Sequence, residues 1–452
     1  MTSLRISLSI KSFVSGIRAF FNAYKKRVIA DGGFVEGENC AIDKLKNPLL
    51  NSASLVLIPS GVKATKVYSE RPTNGSGDFT FARASTATRT NASGAIVSVA
   101  SNVPRLDYMT AAGTLAICPM LEVEGQRTNL LLQSNTFNTT WAFSGTGTVT
   151  QGATDPFGGT TAWTLAKTAA NTFIFQGTTA FSGSSTFSIY AKAGTVDQIY
   201  LLHTQTVQFN AFFDLTLGTI VSSTNCVATI VSVGGGWYRC SIAGTVAGAT
   251  NIRIYPASGG SLTGTTGNIL IYAAQGELGT FSSTVIPTTT ATVTRILDSV
   301  SISGASALIG QTEGTIFLDV DFRAVSLGGA RCFFGIEGSV PSAFRGFSVT
   351  TTNNGNDVQG AGTIYAITQG RHKIVLRYNS TTNVSKLFVD GAQRGASTSA
   401  AFASTIDRIS VLGRINPFSS FAVDRQQFGG CNQFAVWKTA LTDAQCIQLS
   451  TL

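Results

Sequence analysis

Charge is what this sequence has least of. Only 12% of its 452 residues are Asp, Glu, Lys or Arg, about half the usual share. Histidine occurs twice, at His203 and His372, so chemistry that needs a positioned base has little to draw on. No serine sits in a nucleophile-elbow glycine frame, and the glycine runs at 234–236 and 259–260 are not followed by a lysine-capped helix, which excludes a phosphate-cradling loop. Cys40, Cys118, Cys226, Cys240, Cys332, Cys431 and Cys446 form no C-x-x-C pair, so zinc is not expected. Their odd number fits buried free thiols in a reducing compartment; only Cys226 and Cys240 lie at hairpin spacing. Lys11 and Arg18 interrupt any secretory apolar core, and no apolar run reaches bilayer-spanning length.

What is present instead is small and aromatic: 47 glycines and 29 phenylalanines. Helix formers of the Glu-Lys-Arg type are scarce, so the chain is expected to be mainly β beyond its N-terminus. The net charge of +9 is concentrated, because Arg5, Lys11, Arg18, Lys25, Lys26 and Arg27 supply +6 of it before any acid appears. The folded remainder has no basic stripe, so nucleic acid is not expected as a partner.

Residues 1–30 read as an amphipathic helix. Ile6, Ile10, Phe13, Ile17, Phe20 and Tyr24 follow a heptad seam, widened by Val14 and Phe21. Lys11, Arg18 and Lys25 line one flank only. Three uses compete: an oligomer bundle, a peg docked into a partner, and a helix lying on a membrane surface. The one-sided flank favours an oligomerising or docking anchor over membrane contact. Packing against its own domain is the fourth alternative.

Residues 31–118 read as a small mixed adaptor, with a short helix near 37–46 and a strand at 54–59. Here Arg83 and Arg89 are expected to tie neighbouring loops rather than bind phosphate or sugar. Residues 119–297 carry strand candidates every eight to fifteen residues, including 186–193, 198–202, 209–215, 228–233, 237–243 and 251–255, a jelly-roll-like count. Leu121 to Asn135 and Ile271 to Gly279 are taken as the opening and closing edges of this sandwich. Residues 298–452 read as a second β-sandwich, opened by 315–322 and closed by a capped helix from Thr442. The patterning of 119–452 predicts that it folds by itself. The fold class is thus two β-sandwich (jelly-roll) domains preceded by an N-terminal amphipathic helix and a small mixed adaptor.

An ordered set of segments resembles bacteriophage structural proteins of the head-fibre, head-spike or tail-fibre-like kind. They are Phe81-Ala-Arg-Ala-Ser-Thr-Ala-Thr-Arg89, Pro104-Arg-Leu-Asp-Tyr108, Glu124-Gly-Gln-Arg-Thr-Asn-Leu-Leu-Leu132, Phe187-Ser-Ile-Tyr-Ala-Lys-Ala-Gly-Thr195, Gly236-Trp-Tyr-Arg-Cys240 and Ile286-Pro-Thr288. The resemblance implies a virion component with a carbohydrate-binding-module-like sandwich. The order of the last 140 or so residues is similar to the concanavalin A-like and laminin-G-like lectin family, a likeness of fold that does not by itself carry lectin activity.

The site candidates follow from those folds. Sugar binding needs aromatic platforms with a few polar groups. Trp141 and Trp163 flank loops and are preferred over Tyr190 and Trp237 as platforms, although a core role outweighs sugar contact even for these two. A bound calcium ion, common in both resembled folds, would use Asp214 or Asp319; no other cofactor is expected. Asp319 with Asp321, and Glu122 with Glu124, read as solvated strand faces rather than catalytic pairs.

The reading is a non-enzymatic virion-surface protein, made in the host cytoplasm, that binds host-surface glycans. It is expected to form a homotrimer and to reach capsid or tail proteins through its N-terminus. A purely structural decoration and a glycan depolymerase are the alternatives.

Overall fold

The computed structural model describes residues 2–178, 181–205, 207–248, 250–324, 331–338, 344–349, 354–357, 365–399, 401–413 and 428–452, and for residues 2–14, 178, 250, 324, 331–333, 344–349, 354–357, 365–366, 397 and 428 the backbone alone. The chain is mainly β, with 50% of residues in strands and 11% in helices, as composition predicted.

Between Ala142 and Leu278 the strands build two six-stranded antiparallel sheets. One runs Ala142–Ser144, Phe173–Thr178, Thr250–Ala257, Gln198–Thr204, Phe209–Asp214, Thr219–Thr224. Its partner runs Gly147–Ala153, Ala162–Lys167, Gly267–Leu278, Gly183–Ala193, Trp237–Val246, Val227–Gly234. Alternation decides the packing: Phe187, Ile189, Leu201, Phe213, Ile242 and Ile254 point into one shared core.

The second sandwich is not confined to the C-terminal third. Phe79–Ala82 pairs with Ser299–Ser303 in its ten-stranded sheet. In the eight-stranded sheet Phe428–Trp437 pairs with Glu313–Ala324, with Leu55–Leu57 and with Leu115–Val123. The region expected to be an adaptor therefore supplies strands to both sheets, and the first sandwich is an insertion within the second. A short ribbon, Arg127–Asn129 against Val293–Arg295, carries the chain in and out. Leu121 and Glu122 thus do not open the first sandwich, and Gly267–Leu278 is an interior strand rather than a closing edge. A fragment starting at 119 would lack strands that the second sandwich needs.

Three helices cover the outer face of the eight-stranded sheet: α1 (Thr2–Ala30), α2 (Glu38–Leu45) and α3 (Asp443–Ser450). On Glu313–Ala324, Ile316, Leu318, Val320 and Phe322 face the sandwich core, and Phe317 faces the helices. Phe21, Tyr24 and Val28 of α1 are buried against Phe317, Phe388 and Trp437 together with Ile42 of α2 and Leu449 of α3. The C-terminal half of the heptad seam is thus used within the chain. Phe21 and Tyr24 are core residues, while Ile17 and Phe20 are half-buried, with Arg71 stacked 4.9 Å over the Phe20 ring. Of the basic flank, Lys25 is used internally, paired with Glu38 at 2.6 Å, and Arg27, off that flank, pairs with Asp78 at 2.7 Å. The side chains of Ile6, Ile10, Phe13 and Val14 lie outside the described residues. Thr442 caps α3 in a capping box with Gln445, as predicted.

Cys40 and Cys118 form a disulfide that ties α2 to the strand Leu115–Val123. Neither was expected to pair, because they lie 78 residues apart and only the tertiary fold brings them together. Cys226 and Cys240, the pair at hairpin spacing, are free thiols.

Beneath α1, Tyr24 Oη lies 3.2 Å from Ser60 Oγ, and Ser60 Oγ donates to Glu70 Oε1 at 3.1 Å. Burial pushes the Glu70 carboxyl up to about 8, against the opposing hydrogen bonds from Ile58 N and Ser60. A raised folded value makes this contribution complete below the ordinary carboxylate pKa, with loss as pH rises through about 8. Wild-type melting temperature is therefore expected to fall across that window. Glu70→Gln, which resembles the protonated acid, is expected to flatten the profile. Parallel wild-type and variant profiles in a thermal melt series would refute this role.

Candidate ligand cleft

The sandwiches meet over a cluster of buried charge. Arg105 donates to Glu124 Oε2 at 2.7 Å and also to Asp298. Arg83 pairs with Asp298 at 3.0 Å, and Arg295 with Glu124 at 2.9 Å. All five side chains are 0–1% exposed. Thr284 completes the cluster, donating its backbone N–H to Glu124 Oε1 at 2.9 Å and accepting from Arg295 at 2.9 Å. Burial alone would raise the Glu124 carboxyl, but Arg295 and Arg105 outweigh it and hold it well below the usual range. Beside this cluster Arg323 pairs with Glu122 at 2.9 Å and approaches Asp107 at 3.5 Å. Glu122 and Glu124 are thus buried ion-pair partners, not a solvated face.

Asn129 fastens the next turn of chain. Its Nδ2 donates to Ile286 O at 2.9 Å, and its Oδ1 accepts from Gly276 N at 3.0 Å. Thr288 Oγ1 donates to Leu131 O at 2.6 Å. The segments around 83, 105, 124–132 and 286–288, far apart in sequence, are therefore the parts of one joint. Arg83 is the loop tie that sequence suggested, donating also to Ala100 O at 2.7 Å.

Above the joint opens a cleft of about 300 Å³, at the small end of ligand-site sizes (roughly 300–1,000 Å³). One wall is the outward face of the first sandwich, where cross-strand neighbours form rows. Tyr190, Arg239 and Val231 make one row, and Ser241 and Thr229 the next, with their cross-strand neighbour Ser188 buried outside the lining. Facing them are Thr88–Thr90 and the turn 110–113, with Phe281, Thr284 and Arg323 along the floor. Gly113 sets the closest approach: its φ is +75°, and a Cβ there would fall 1.8 Å from Val231 Cγ1. Hydroxyl groups alternate with apolar surface around the lining. Tyr190 rests on Phe157 at 5.5 Å and Tyr272 at 6.2 Å, so its ring is held from below.

The sequence candidates fall elsewhere. Trp141 and Trp163 are 5% and 3% exposed, packed on Phe137, with their indole N–H groups donating to Gln133 O and Asn135 O. Neither presents a face to a sugar. Asp214 accepts from Thr216 N and Leu217 N at 2.8 Å in its own turn. Asp319, in the other sandwich, is buried and held by both Arg371 donors at 2.9 and 2.7 Å. Asp321 accepts from Ala111 N at 2.9 Å. No group of three or more His, Cys, Asp or Glu side chains fit to hold a metal occurs among the described residues. Tyr190, ranked behind Trp141 and Trp163 by sequence, lines the cleft, as does Arg239 of the Gly-Trp-Tyr-Arg-Cys segment, which sequence does not single out as a ligand. Both sit on strands that the sequence indicates, at 186–193 and 237–243.

No protein-family model matches the chain, and no curated protein matches it in sequence. Among solved structures, the carbohydrate-binding module CBM40 of the Ruminococcus gnavus IT-sialidase, bound to alpha2,3 sialyllactose, aligns at 13% identity over 32% of this chain and 84% of its own, with a TM-score of 0.26. The NanB sialidase of Streptococcus pneumoniae aligns at 11% identity over 33% of this chain and 26% of its own, with a TM-score of 0.27. Domain 4 of AbnA, an arabinanase of Geobacillus stearothermophilus in complex with arabinotriose, aligns at 13% over 34% and 73%, with a TM-score of 0.26. At these scores the likeness assigns no ligand to this chain.

Proposed function

We propose that this chain is a non-catalytic glycan-binding protein of a phage particle, with the cleft between its sandwiches as the binding site. The observation that carries the reading is the cleft itself: hydroxyl rows and apolar surface set on a floor that buried ion pairs hold rigid. Such a lining suits a saccharide, whose ring presents hydroxyls at its rim and C–H groups on its faces. Cleavage by the common glycosidase route would need two carboxyl groups roughly 5–9.5 Å apart. Asp107 is the one carboxylate on the described lining, and its oxygens accept from Thr90 N at 3.0 Å and Met109 N at 2.7 Å. The ordered sequence segments support placement on a virion. With Phe21 and Tyr24 committed to the body, the contact with capsid or tail proteins, or the trimer seam, falls to the turns of α1 before Ile17. Several copies on one particle would raise a weak single-site affinity.

The test is a glycan array probed with the full chain, beside Thr229→Trp, which fills the cleft from an exposed position on its wall. The expected result is binding by the wild type and loss of about tenfold or more in the variant, with melting unchanged. Equal binding by both would move the site elsewhere. Absence of any bound glycan would leave the structural-decoration reading in its place, and release of reducing ends from a bound glycan would favour the depolymerase.

A further inference from the structure

The cleft holds an uneven set of charges. Arg89, Arg239 and Arg323 line it, with Asp107 as the described carboxylate. Two of the guanidinium groups are already answered: Arg89 pairs with Glu36 at 3.0 Å, and Arg323 with Glu122 at 2.9 Å. Arg239 has no ion-pair partner among the described residues. Its Nη2 donates to Ser188 Oγ at 3.1 Å, its Cζ lies 5.4 Å over the Tyr190 ring, and its Nε is buried without a hydrogen-bond partner. The ring and the serine fix the plane of the guanidinium while leaving donors unanswered.

We infer that the cleft selects an acidic saccharide, with Arg239 pairing with its carboxylate; the inference rests on reading the cleft as a glycan site. A planar carboxylate matches the guanidinium fork and supplies the counter-charge that Arg239 lacks among the described residues. Because the side chain is stacked and tethered before the ligand arrives, little rotamer entropy is lost on binding. Asp107 does not compete for the role, since backbone N–H groups hold both of its oxygens. Beside the charge, Ser241 and Thr229 occupy the next row of the wall, placed for the hydroxyls of the same sugar ring.

The experiment is an array in which every acidic glycan is printed beside its carboxyl-reduced counterpart, probed with the full chain at low and raised NaCl. The wild type is expected to prefer the acidic member of a pair by about tenfold or more, with the preference shrinking as salt rises. Arg239→Gln should abolish the preference. Thr229→Glu and Thr229→Gln have nearly the same shape and both give up the threonine hydroxyl, so a selective loss of acidic over reduced members in the first, with the wild-type preference ratio kept in the second, reports charge alone, and it decides the matter should Arg239→Gln fold poorly. Equal binding of acidic and reduced members, or retention of the preference in a folded Arg239→Gln, overturns the inference while leaving the cleft reading standing. If nothing on the array binds the wild type, both fall.

Discussion

Glu124→Ala is expected to lower the unfolding free energy by about 3–5 kcal/mol. The carboxylate stands between Arg105 and Arg295, and none of the three side chains is more than 1% exposed. Truncation leaves Arg295 without its ion-pair partner and leaves Arg105 to share Asp298 with Arg83. That penalty exceeds the net worth of the pairs themselves, which is why deletion of one partner is the informative change. Urea denaturation of wild type and variant measures it. The depressed folded pKa gives the pH signature: the Glu124 contribution is present above the ordinary carboxylate value and is lost as pH falls through the folded one. The two proteins should therefore differ fully at neutral pH and converge only in strong acid. A variant with wild-type stability would mean that the joint contributes nothing to holding the sandwiches.

The second large effect belongs to α1. Phe21 is fully buried, with its ring 5.2 Å from that of Tyr24, and Phe→Ala in a packed core costs about 3–5 kcal/mol. Phe21→Ala should lower the thermal midpoint of the purified protein without any change in its mass by light scattering. Ile17→Asp combined with Phe20→Asp separates the two halves of the helix. Those side chains are only half-buried, so the smaller loss in melting should be accompanied by reduced incorporation into particles if the helix also anchors. Should Phe21→Ala leave the melt untouched but dissociate an oligomer, the seam would be intermolecular after all.

Local pattern was enough for the strands. The strands at 186–193, 237–243 and 315–322 and the cap at Thr442 all stand in the structure as the sequence indicates. What the sequence concealed lies in partners. Period-two alternation says that Glu122 and Glu124 share a face, but a face buried under arginines and a face in water look alike from one strand. Phe317 and Asp319 face away from the sandwich core, yet the helices α1–α3 cover that side. Trp141 and Trp163 border loops, and only the turn of chain at 133–135, which accepts their indole protons, shows them to be core. The cleft is made by two sandwiches together, so no single stretch announces it. Arg239 was visible as a residue, not as an unanswered charge.

The insertion of one sandwich within the other also sets an order on how the molecule is made. As the chain leaves the ribosome, Leu55–Leu57 and Leu115–Val123 emerge first, but Phe428–Trp437, the strand that both must pair with, emerges only after the whole inserted sandwich. The inserted sandwich, in contrast, finds all its strand partners between Ala142 and Leu278. It should fold first, as a unit, while apolar strands on its N-terminal side wait with open edges. During that interval those edges are exposed to neighbouring nascent chains, and the yield of native protein should depend on how fast translation reaches the last strand.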